Sequence, residues 1–129
     1  MSLENLTVLY VEDDIDTQRL IKQILISLAK EVYVASEGKE GLALFKEKCP
    51  DIVLTDICMP KMDGLEMAKE IRELDSTQPI AIFTAFDDPS YLKKAAELDI
   101  GTYLLKPFDR EQFFNSMNYL AMMAENRKN

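Results

Sequence analysis

The chain has 129 residues, 47% of them hydrophobic and 29% charged, with a formal net charge of -8. That size supports one domain with a real core, read here as spanning 1–129 with its core at about 6–124. The acidic balance argues against a nucleic-acid surface, which needs clustered Lys and Arg. No apolar run approaches a membrane span, the start MSLENLTVLY lacks a secretion signal, and a cytoplasmic location is expected. The absence of histidine removes Ser-His-Asp and Cys-His catalysis and His-ligated metals. Cys49 and Cys58 fit neither a disulfide framework nor a zinc pattern.

LTVLYV (6–11) is an apolar, β-branched run suited to a strand buried on both faces, and it stops at Glu12-Asp13-Asp14. Leu20, Ile21, Ile24, Leu25 and Leu28 then recur at helical spacing. EVYVA (31–35) reads as a second strand, and Ser36 is placed to cap the next helix, whose stripe is Leu42, Phe45 and a neighbouring alanine. DIVLT (51–55) is a third strand, followed by a turn-rich loop with Pro60 and Asp63-Gly64, then a helix bearing Leu65, Met67, Ala68 and Ile71. PIAIFTA (79–85) is a fourth strand, and Asp87-Asp88-Pro89 opens a helix. TYLLK (102–106) is a fifth strand, and a last helix from about Asp109 carries Phe113, Phe114, Met117, Leu120 and Ala121.

Five strand–helix units imply a doubly wound parallel sheet with helices on both faces. Ligands bind such sheets at the carboxyl ends of the strands. The residues there are Glu12 and Asp13, Asp56, Thr84 and Ala85, and Lys106 followed by Pro107. Carboxylates ~5 Å apart at an effective dielectric of 20 repel by roughly 3 kcal/mol per pair. A divalent cation removes that cost, and an oxygen-only set suits Mg²⁺. A lysine, a hydroxyl and a metal are also what phosphoryl transfer needs, and an aspartate can itself accept the group. Asp56 is therefore the candidate phosphoacceptor. Read alone, the acidic triplet would be a helix cap and Lys106 a solvated charge.

The motifs VLYVEDD (8–14), DIVLTDICMPKMDG (51–64), FTA (83–85) and YLLKPF (103–108) together resemble the receiver domains of two-component response regulators, of the chemotaxis-regulator type. The resemblance implies a flavodoxin-like five-stranded sheet of order 2-1-3-4-5. It implies phosphorylation of Asp56, Mg²⁺ held by Asp13, Asp56, the backbone carbonyl of Cys58 and, through water, Glu12, with Lys106 and Thr84 on phosphoryl oxygens. It also implies a cis Lys106-Pro107 peptide, and Tyr103 as a switch aromatic that moves with Thr84. Glu at position 12 departs from the commoner Asp, and Cys58 and Phe86 occupy positions that influence hydrolysis of the phosphoryl group.

The implied role is that of a signalling switch rather than an enzyme with a separate substrate. Its donor would be a phosphohistidine on a sensor histidine kinase or phosphotransfer domain, and its readout a changed surface of the fourth helix, fifth strand and fifth helix toward an effector. Tyr91, Lys93 and Lys94, with Phe113, Asn115 and Met117, are candidates for that face. Self-association has no support in the residues. Two other readings stay open: an interaction module that is never phosphorylated, and an Mg²⁺ phosphatase with an aspartate nucleophile. The phosphatase is disfavoured, because such enzymes place the nucleophile after the first strand.

Overall fold

The structure, a computed structural model, describes residues 3–128. Its strands are β1 (Thr7–Val11), β2 (Glu31–Ala35), β3 (Ile52–Thr55), β4 (Ile80–Thr84) and β5 (Thr102–Leu105). Its helices are α1 (Ile15–Leu28), α2 (Gly38–Lys48), α3 (Gly64–Leu74), α4 (Pro89–Glu97) and α5 (Arg110–Lys128). All strand pairs are parallel, in the order β2-β1-β3-β4-β5. None of the described helices is long and apolar enough to cross a membrane.

The strand period of two divides the apolar residues between two layers. Val8, Tyr10, Ile52, Leu54, Ala81, Phe83 and Leu104 face α1 and α5, where Ile21, Leu25, Phe113, Met117 and Leu120 meet them. Leu9, Val11, Val53, Ile80 and Ile82 face α2, α3 and α4, against Leu42, Phe45, Met67, Ile71 and Ala95. The inner strands are buried on both faces while the edges β2 and β5 are half-buried, which is why the inner runs read as continuously apolar. Leu3 and Leu6 are also buried, extending the layer under α5 beyond the first strand.

Some expected contacts differ. Leu20 is 52% exposed, so the inward face of α1 is Ile21 and Leu25, with Ile24 and Leu28 half-buried. Ala43 is exposed, and Gly41 takes its place beside Leu42 and Phe45 because the helix packs closely against Val11 and Met67. Ser36 does not cap α2: the cap is Glu37, whose carboxylate accepts from the Lys39 N–H. Phe113 and Met117 belong to the core, so they are withdrawn from the candidate partner face.

The end of α5 is tied to the loop after α3. The Arg127 guanidinium donates to Asp75 at 2.6 Å and to Thr77 Oγ1 at 3.1 Å. That hydrogen bond from Arg127 holds the Asp75 carboxyl below its ordinary value of 3.8. A depressed carboxyl contributes stability above its unfolded value, and the contribution is lost as pH falls through the folded one. Arg127→Ala is thus expected to cost about 0.5 kcal/mol near neutral pH, the scale of a solvent-screened pair. Chemical denaturation should show the difference from the parent vanishing below the Asp75 titration.

Candidate functional site

The end of β1 divides its three acids among different tasks. Asp14 caps α1, accepting from the Thr17 N–H at 2.9 Å and the Thr17 hydroxyl at 2.6 Å. Those bonds hold its carboxyl below the ordinary range. Glu12 is fully buried and Asp13 is exposed. The helix-cap reading therefore holds for Asp14, and it leaves Glu12 and Asp13 free of that task.

Glu12, Asp13 and Asp56 each offer a carboxylate oxygen within 4.8 Å of the others. Lys106 reaches this cluster from the end of β5, with Nζ 2.8 Å from Glu12 Oε1 and 2.9 Å from Asp56 Oδ2. The Ile57 N–H donates to Asp56 Oδ1 at 2.6 Å, so both oxygens of that side chain are engaged. Burial pushes the Glu12 carboxyl up, against the pull of the Lys106 hydrogen bond. Burial works against the Lys106 charge too, but the bonds to Glu12 and Asp56 outweigh it and raise its pKa. Pairs like this one are costly to break because each partner would be left as an uncompensated buried charge.

The Lys106-Pro107 peptide is cis. Thr84 is buried at the end of β4, and its hydroxyl accepts from the Phe86 N–H at 3.4 Å. Tyr103 on β5 donates its hydroxyl to the Phe86 carbonyl at 2.5 Å. Burial, then the charges of Asp87 and Asp88, raise the Tyr103 phenol, so it stays a donor. Cys58 is exposed two residues beyond Asp56, with Sγ 3.7 Å from Tyr91 Oη. Phe86 lies edge-on to Tyr91, with ring centroids 6.5 Å apart.

The loop from Asp56 to α3 owes its course to close packing. Gly64 N–H donates to the Ile57 carbonyl at 2.8 Å, and a Cβ on Gly64 would stand 1.9 Å from the Asp56 carbonyl oxygen. No described glycine has positive φ; the left-handed residue of this loop is Lys61, at φ 66°. Gly64 is thus needed for clearance rather than for a turn conformation. Asp63 and Glu66 form a reciprocal capping box on α3.

Sequence reasoning missed three contributors. Tyr10 is buried and donates its phenol to Glu12 Oε1 at 3.3 Å, while burial and then the Glu12 charge push that phenol up. Its signal was a phenol two residues before Glu12, the spacing at which an extended chain returns to the same face. Gln18 donates to the Glu12 carbonyl at 2.7 Å from α1. The Phe86 peptide, linking Thr84 to Tyr103, leaves no mark in residue types.

A family model described as the response regulator receiver domain matches residues 8–118. The probable transcriptional regulator ycf27 of Cyanophora paradoxa is 31% identical over 126 residues, covering 98% of this chain and 52% of that protein. The regulatory protein AtoC of Escherichia coli (strain K12) is 31% identical, covering 81% of this chain and 23% of that protein. The chain spans about half the length, or less, of such curated relatives. Among solved structures, the N-terminal domain of an uncharacterized protein from Wolinella succinogenes matches with TM-score 0.88 at 32% identity, covering 95% of this chain and 98% of that one. A chain of the CheX-CheY-BeF3-Mg²⁺ complex from Borrelia burgdorferi matches with TM-score 0.84 at 27% identity, covering 92% and 90%.

The parallel sheet of order β2-β1-β3-β4-β5 with an acidic carboxyl edge agrees with these matches. The chain belongs to the response regulator receiver domain family. Receiver domains are signalling switches.

The clearance at Gly64 gives a prediction. Gly64→Ala must displace main chain at Asp56, and a loss of about 3 kcal/mol in urea unfolding is expected, the upper end for overpacking. Gly101→Ala, where an added Cβ meets nothing within 4 Å, is the matched control and should change stability little.

Proposed function

We propose that the chain is a phosphoacceptor switch in which Asp56 receives a phosphoryl group from a phosphohistidine of a sensor kinase or phosphotransfer domain. The observation that carries this reading is the convergence of three carboxylates and one ammonium at the carboxyl edge, with Lys106 Nζ between Glu12 and Asp56. The donor must be another protein or domain, since the chain has no histidine. In the transfer an Asp56 oxygen attacks phosphorus, the P–N bond breaks, and the leaving imidazole nitrogen keeps its electron pair and takes up a proton.

The donor set consists of hard oxygens, which fits Mg²⁺. Asp13, Asp56 and the Cys58 carbonyl would hold it, with Glu12 acting through water. Bound there, Mg²⁺ supplies the positive charge that offsets carboxylate crowding and the charge of phosphoryl oxygens. The Borrelia burgdorferi complex contains BeF3 and Mg²⁺, which supports carrying both ligand classes to this site.

Lys106 would leave the carboxylates for a phosphoryl oxygen, and Thr84 would donate its hydroxyl to another. The Thr84 hydroxyl accepts from the Phe86 N–H, while the Phe86 carbonyl takes the Tyr103 hydroxyl. Movement at Thr84 is thereby passed through one residue's peptide groups to Tyr103 on β5 and to the start of α4. Such a local charge event biasing a two-state element would alter the surface of α4, β5 and α5 toward an effector.

Intact mass after incubation with acetyl phosphate tests the reading. A Mg²⁺-dependent gain of one phosphoryl group that Asp56→Ala abolishes is the expected outcome; no adduct at short times would favour an interaction module that is never phosphorylated. Cys58 and Phe86 offer no group suited to orienting water, so loss of the adduct in Mg²⁺ buffer should be slow. Tyr103→Phe should accept phosphate normally while the change in hydrogen exchange across α4 and β5 is reduced. An undiminished change in that variant would remove Tyr103 from the relay.

A further inference from the structure

We propose that Tyr10 is a positioning residue of this site, keeping the buried Glu12 carboxylate in place when Lys106 gives it up; the inference rests on the Mg²⁺ and phosphoryl reading above. Glu12 Oε1 has two donors, the Lys106 ammonium at 2.8 Å and the Tyr10 phenol at 3.3 Å. An O–H···O bond is commonly near 2.7–2.8 Å, so the phenol is held at long range while the ammonium has the oxygen. A divalent cation among Glu12, Asp13 and Asp56 competes with Lys106 for those carboxylates and repels its charge. Once the ammonium moves, the buried Oε1 keeps one protein donor, the Tyr10 phenol, and a buried acceptor left without a partner is costly.

The rest of the Tyr10 environment fits a fixed donor. Its side chain is fully buried in the apolar layer of Val8, Ile21, Leu25, Leu54 and Phe83, so the ring cannot swing away. Glu12 directly follows β1, two residues after Tyr10, and its N–H continues the pairing to the Ala35 carbonyl, so the extended chain brings the carboxylate back to the side of the phenol. The other carboxylate oxygen, Oε2, is held by the Asp14 N–H at 3.2 Å. Glu carries one more methylene than Asp, and the two flanking bonds fix that longer arm. Outer-shell groups of a metal site, of which Glu12 acting through water would be one, commonly affect metal affinity by ten- to a hundred-fold.

The test is Mg²⁺ titration by calorimetry on the full chain, as wild type, Tyr10→Phe, Glu12→Asp and the double variant. Phenylalanine fills the same apolar space, and urea unfolding in EDTA checks that the fold is retained. Tyr10→Phe is expected to weaken Mg²⁺ binding by roughly ten-fold. In the Glu12→Asp background, where the carboxylate is drawn back from the phenol, it should have little further effect. Equal Mg²⁺ affinity in wild type and Tyr10→Phe would overturn the inference while leaving the site intact. The same loss in both backgrounds would also overturn it, since the hydroxyl would not be acting through Glu12. A wild type that binds no Mg²⁺ would instead overturn the Mg²⁺ site itself, and this inference with it.

Discussion

One ammonium between two carboxylates organises the carboxyl edge of this protein. Lys106 Nζ lies within 2.9 Å of both Glu12 and Asp56, and Asp13 stands in the same cluster. Glu12 is fully buried and Asp56 is 6% exposed, so neither can rely on water for its charge. The positions of β1, β3 and β5 are coupled through this contact, although β5 is separated from β1 by two strands. The same contact is the natural point of exchange on the proposed reading, since whatever draws Lys106 away must leave other positive charge behind.

Around it, backbone groups do much of the arranging. Ile57 N–H fixes one Asp56 oxygen, the Gly64 backbone rests on the Asp56 carbonyl, and the Phe86 peptide spans Thr84 and Tyr103. These are short, local constraints on elements with well-packed inner faces. They leave α4 comparatively free: Ala95 is its buried residue, and the helix has no side-chain cap bond. On the proposed reading, a weakly anchored helix beside a tightly held site suits an element that moves.

Much of this was legible in the chain. Apolar runs marked the five strands and the polar residues that end them marked the carboxyl edge, because each inner strand is buried on both faces and ends where its side chains reach the site. The strand order, by contrast, came from the resemblance to receiver domains. What residue types could not convey was division of labour. Asp14 and Glu12 are both acids after β1, yet one caps a helix and the other is a buried hydrogen-bond hub. Gly64 reads as a turn glycine, but its requirement comes from the Asp56 carbonyl across the loop. Phe113 and Met117 read equally well as surface or core until the angle of α5 on the sheet is known; both are core. The role of Phe86 lies in its peptide groups, which every residue carries.

On this reading Lys106 holds the carboxylates together until other positive charge replaces it. Equilibrium urea unfolding of Lys106→Met, in EDTA and in saturating Mg²⁺, tests it most directly. A loss of about 3–5 kcal/mol is expected in EDTA, the cost of breaking a buried ion pair. Mg²⁺ should restore more stability to the variant than it adds to the wild type. A variant as stable as wild type in EDTA, or one that gains no more from Mg²⁺, would contradict it.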